Sequence, residues 1–129
     1  MNNGEVTKHI AVGWFPVGEL EKALALWPGL VAGWGVSTYQ EYCRGVDAHL
    51  RQLDLGPDTS VLLAPIEVKY FVKWCANEGV DPAEPSSRSK YATTIATRGR
   101  TRSWPPAPDK GCWCGRDEAY ASCCGVEAP

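Results

Sequence analysis

Apolar positions recur along the chain with two different periods. In KHIAVGWF, Ile10, Val12 and Trp14 alternate with smaller or polar neighbours, the period-two pattern of a short strand. SVLLA is a continuous apolar run and predicts a second, buried strand. The remaining runs are helical. In ELEKALALWP, Leu20, Ala23, Leu24 and Trp27 share one face before Pro28 and Gly29 end it. The clearest helix follows Ser37 and Thr38, where Ser37 with Gln40, or Thr38 with Glu41, offers a capping box. Tyr39, Tyr42, Cys43, Val46, Leu50 and Leu53 then form one stripe, closed by Gly56 and Pro57. PIEVKYFVKWCANEG predicts a helix with Pro65 in its first turn, Val68, Phe71, Val72 and Cys75 inward, and Gly79 as its cap. A last helix carries Tyr91, Ala92 and Ile95 on one face and stops at Gly99.

These elements predict an α+β fold, mainly helical: a helical body with two short strands over residues 1–99. Residues 100–111, RTRSWPPAPDKG, combine prolines with no periodicity and read as a linker. Residues 112–125 form a separate C-terminal element. With 129 residues and 44% hydrophobic composition, the chain can build one modest core. The N-terminal stretch lacks the features of a secretory leader, and no apolar run approaches the ~20 residues of a membrane span, so a cytoplasmic protein is expected.

The last element, CWCGRDEAYASCCG, holds four of the six cysteines. Thiols stay reduced in the cytoplasm, which favours metal binding over a disulfide framework or a redox pair. Four thiolates from two short loops, Cys112 with Cys114 and Cys123 with Cys124, match the tetrahedral positions of Zn²⁺, with iron as the alternative ion. Gly115 gives the backbone room to turn. So short a segment has almost no core of its own, whereas structural zinc contributes roughly 10–16 kcal/mol of apparent binding energy in comparable peptides.

The same residues resemble the SEC-C motif, usually CPCGSGKKYKKCCG, the zinc-binding element at the C-terminus of the translocase motor SecA and of many otherwise unrelated proteins. The cysteines, Gly115, Tyr120 and Gly125 match. In the body, GWFP, ALALWP, EYC and KWCANEG are similar to small uncharacterised SEC-C-tailed proteins of actinobacteria. The resemblance implies a zinc knuckle used for docking. The lysines that give the usual motif its positive face toward the acidic chaperone SecB are missing: Asp117, Glu118, Ala119, Ala121 and Ser122 stand there, and Arg116 alone keeps a positive charge. Trp113 replaces the usual proline with a large amphipathic ring, able to pack on the body or to meet a partner.

Charge adds a second candidate surface. Residues 1–87 carry 6 Lys/Arg against 11 Asp/Glu, residues 88–116 carry 7 against 1, and the last 13 carry 3 acids and no Lys or Arg. The basic segment interleaves Arg98, Arg100 and Arg102 with Trp104, a composition able to track phosphate or simply to complement a helix C-terminus. Candidate partner contacts are therefore Trp113, Arg116 and Tyr120 on the knuckle and Arg98, Arg100, Arg102 and Trp104 upstream. A catalytic role is not expected: four cysteines leave a zinc ion no open position, and the body has no HExxH, GxxxxGK[ST] or GxSxG. Cys43 and Cys75 read as small core hydrophobes, His49 as a half-buried, hydrogen-bonded histidine, and Glu19, Glu21, Glu41, Asp47 and Glu67 as solvated helix faces. Trp14, Trp27, Trp34 and Trp74 are expected in the core. The function expected is that of a zinc-binding adaptor whose partner is another protein, with association to nucleic acid or the ribosome through residues 88–116 as the alternative.

Overall fold

Alternation in the N-terminal run and continuity in SVLLA produce the strands they predict. A computed structural model describes residues 8–30, 36–53 and 59–125. Strand β1 (Lys8–Trp14) lies parallel to β2 (Thr59–Pro65), with Ile10 opposite Val61 and Val12 opposite Leu63. A third strand, β3 (Arg102–Trp104), pairs antiparallel with β2, so the sheet order is β1-β2-β3. β2 is central, which explains its apolar run: Val61, Leu63 and Ala64 are all buried. The fold is α+β and mainly helical, as expected, with one strand more than the sequence predicts.

The helices are α1 (Glu19–Leu26), α2 (Tyr39–Arg51), α3 (Val68–Glu78) and α4 (Pro85–Thr97). α2 begins in a reciprocal capping box. Glu41 N–H donates to Thr38 Oγ1 at 3.1 Å, and the Glu41 carboxylate accepts from Thr38 N–H at 3.1 Å. Of the two predicted boxes, the second is the one that forms. α3 ends on Gly79 with φ 71°, the left-handed cap predicted for it. Pro65, expected in the first turn of α3, is instead the last residue of β2, and Pro85 opens α4. Val72, expected inside, is 37% exposed.

Contacts divide the chain into two compact units that each use discontinuous segments: 1–14 with 54–105, and 15–53 with 106–129. The first contains the sheet, α3 and α4, with Phe71, Tyr91, Ala92 and Ile95 in its core. Gly13 belongs to this packing, since a Cβ there would lie 2.5 Å from Ile66 Cδ1. The second contains α1, α2 and the cysteine segment, with Phe15, Leu20, Val46 and Leu50 buried. These contact units are drawn at other places than the predicted bounds at residues 99 and 111. The stretch read as a linker splits between them: Arg102–Trp104 joins the sheet, whereas Pro108 and Lys110 accept backbone hydrogen bonds from Ala121 and Tyr120. Prolines mask both roles in the sequence, because the strand is only three residues long. Among the tryptophans, Trp14 is buried and Trp27 and Trp74 are half-buried, whereas Trp34, Gly56 and Pro57 lie outside the described residues. Among the described residues no helix is long and apolar enough to cross a membrane.

Candidate metal centre

Two short arms bring the cysteines together. A bridge between Gly111 and Ala119, with Cys112 N–H donating to Glu118 O at 3.0 Å, closes the first around Cys112 and Cys114. Gly115 turns this arm at φ 98°, a conformation that glycine adopts without penalty. The second arm is a single 3₁₀ turn, Tyr120–Ser122, leading directly into Cys123 and Cys124. The carbonyl of Tyr120 accepts N–H groups from both Cys123 and Gly125, at 3.0 and 2.8 Å. A Cβ on Gly125 would lie 2.6 Å from that same oxygen, so the closing glycine is a steric requirement.

The sulfurs of Cys112, Cys114, Cys123 and Cys124 lie within 4.8 Å of one another, and all four residues are buried. No cysteine forms a disulfide, and Cys114 Sγ and Cys123 Sγ are 3.6 Å apart. A tetrahedral thiolate site with bonds of about 2.3 Å has edges of about 3.8 Å, so this cluster has the dimensions to hold one metal ion. Its electrostatics agree. Burial pushes the Cys123 thiol up to about 11 and raises Cys114 further. Cys124 is raised by its contact with the Cys43 sulfur and by burial. Burial also opposes the Cys112 thiolate, but hydrogen bonds from the backbone N–H groups and the thiols of Cys114 and Cys124 together outweigh it and lower this pKa. Burial therefore opposes the charged form at all four sulfurs, and a central cation would supply the positive charge that four thiolates need.

Beneath the cysteines lies an interaction that the sequence reading missed. Asp47 of α2 is fully buried, not solvated. Its Oδ1 accepts from Trp113 Nε1 at 3.0 Å and from Tyr120 O–H at 2.9 Å, and its Oδ2 meets Arg51 Nη2 at 2.8 Å. The same Arg51 nitrogen donates to Cys124 O at 2.8 Å, and Tyr39 O–H donates to Cys114 O at 3.3 Å. Both arms are thereby tied to α2. Burial, then the hydrogen bond with Asp47, pushes Tyr120 up to about 12, so the phenol is a neutral donor. Cys43 is buried as expected of a core cysteine, and it also lies against Cys124. The available signal was Asp47's position, four residues after Cys43 and four before Arg51, inside the apolar stripe.

The predicted contact residues thus separate into different environments. Trp113 and Tyr120 are buried against α2, which takes the packing alternative for Trp113. Arg116 is exposed and paired with Glu118 at 3.1 Å. Arg98 and Arg100 are exposed at and beyond the end of α4, whereas Arg102 and Trp104 belong to β3. His49, expected half-buried, is exposed. Glu41 serves the helix cap, and Glu19 pairs with Lys22.

Residues 32–105, more than half of the chain, match the family described as Domain of unknown function (DUF8829). That span includes Cys43, Asp47 and Arg51 and ends before Cys112. No curated protein and no solved structure matches the chain.

Proposed function

The chain belongs to the DUF8829 family, and we propose that its C-terminal segment is a SEC-C-type zinc knuckle serving as a docking element. The observation that carries this reading is the convergence of four buried cysteine sulfurs within 4.8 Å. Cys112, Cys114, Cys123 and Cys124 would hold the ion, leaving no position for water or substrate, which favours a structural over a catalytic metal. Iron is the alternative occupant, since the same thiolates suit both ions. A reducing compartment such as the cytoplasm would keep these thiols available.

Docking follows from what the metal would stabilise. With Trp113 and Tyr120 turned inward, the outer surface consists of exposed Gly115, Asp117, Ala121 and Ser122 with the Arg116–Glu118 pair. This small, nearly neutral face suits a protein partner better than a polyanion. Elemental analysis of protein purified under reducing conditions should give one zinc per chain, lost when Cys123 and Cys124 are replaced by serine. A metal-free wild-type protein would refute the site. Capture of a specific partner from the native host by the intact protein, but not by the double-serine variant, tests docking separately.

A further inference from the structure

The unit that contains the sheet has a cleft of its own, about 550 Å³ in volume, between α3 and the C-terminal end of α4. Its lining residues lie between 65 and 100, all within the span matched by the family. The size falls in the range of small-molecule sites, and the composition is specific. Tyr91 is buried, packed against Phe71 at 5.2 Å and edge-on to Trp74 at 5.4 Å between ring centroids. Trp74 is half-buried and Tyr70 is 51% exposed, so aromatic surface remains at the opening. Lys69 lies over the Tyr70 ring at 4.9 Å and adds a cation beside the rim.

Lys73, Arg98 and Arg100 also line this cleft, and none makes an ion pair within 4.0 Å among the described residues. Glu67 is the one carboxylate in the lining. The charges converge on one place: burial raises the Tyr91 pKa, the Glu67 charge raises it further, and Arg98 and Arg100 act against both. Three cations against one carboxylate leave the lining net positive, a charge that an anionic group would complement, and the exposed ring surface offers a planar group a face to stack on. Asn77 and Glu67 add amide and carboxylate groups that can meet amino or hydroxyl groups.

We propose that this cleft is a binding site for a nucleoside phosphate, with the base against Trp74 and Tyr70 and the phosphate held by Arg98, Arg100 and Lys73. A free phosphate would leave the aromatic surface unused. A single-stranded RNA would be expected to follow an extended groove, whereas this lining is confined to one cleft. The site is independent of the cysteine cluster, whose residues belong to the other unit.

The test uses the intact, metal-loaded protein and calorimetric titration with the adenine, guanine, cytosine and uracil nucleoside mono- and diphosphates, inorganic phosphate and a short single-stranded RNA. At least one nucleotide should bind more tightly than phosphate. Trp74→Ala and the double reversal Arg98→Glu/Arg100→Glu should each weaken it by about tenfold or more, with metal content unchanged and a cooperative melting transition retained, lowered by the lost Trp74 packing and the reversed charges at the helix end. Because Arg98 and Arg100 are exposed, the reversal is compatible with a folded chain; Lys73→Gln provides a milder variant expected to weaken binding by a smaller factor. Failure of all eight nucleotides to bind, phosphate binding as tightly as any nucleotide, or RNA affinity that grows with length and exceeds every mononucleotide would each overturn the proposal.

Discussion

Asp47 shows how one residue can change meaning between sequence and fold. On a helix, a carboxylate followed four positions later by arginine reads as a solvated ion pair; here the pair is the base of a buried hydrogen-bond cluster. Its other partners, Trp113 and Tyr120, are 66 and 73 positions away, and no local pattern announces them. Replacing Asp47 with Asn keeps the shape but places an amide donor among donors. We expect a loss of roughly 2–3 kcal/mol, below the fully buried case because Arg51 remains accessible to water. Denaturant unfolding of the metal-loaded protein measures it, and an unchanged midpoint would show that the cluster contributes nothing to stability. Cys43 acts at the same scale. Its sulfur contact with Cys124 supports one of the four clustered cysteines from behind. Cys43→Ala should keep one metal per chain but release it to a chelating dye about tenfold faster, the usual order for loss of an outer-shell contact. Identical release kinetics would leave Cys43 as packing alone.

Elements were legible where a local rule governs them. The stripe and capping box of α2, the Gly79 end of α3 and the Tyr91, Ala92, Ile95 face of α4 follow from spacing and caps, and the structure reproduces them. The cysteine arms were legible too, because spacing alone brings adjacent thiols into one small loop system. β3 was hidden because its pairing to β2 depends on sequence some forty positions away, as in Val61 opposite Trp104. The side on which α2 receives the cysteine segment was hidden for the same reason. The cap therefore has a consequence beyond its own turn, since α2 supplies Cys43, Asp47 and Arg51 to the centre. Thr38→Ala should lower stability by about 1 kcal/mol, the usual value for a lost N-cap. It should also loosen metal retention, whereas Thr93→Ala, at an exposed position of α4, should affect neither. Chelator competition on the two variants checks the difference; equal behaviour would separate the cap from the centre.

At the scale of the whole molecule, the chain leaves the first unit after β1, builds α1 and α2, returns to complete the sheet, and comes back to close the second unit with the cysteines. A tail joined by a linker could be removed with little effect on the body. A tail that contributes buried Trp113 and Tyr120 to the unit of α2 cannot, because its loss exposes those packing surfaces and strands the Asp47 carboxylate. Stripping the metal should then act as a partial truncation. Without an ion to fix the spacing of the sulfurs, the two arms keep only their contacts with α2, and the hydrogen bonds that make those contacts should open more readily. Hydrogen exchange with and without a strong chelator should show protection falling in residues 39–51 and 110–125 while β1, β2 and α4 keep theirs. Loss of protection throughout the chain would mean that both units unfold as one cooperative body. Unchanged protection in residues 39–51 would mean that α2 does not depend on the cysteine arms and that the cysteine segment is, after all, an independent appendage.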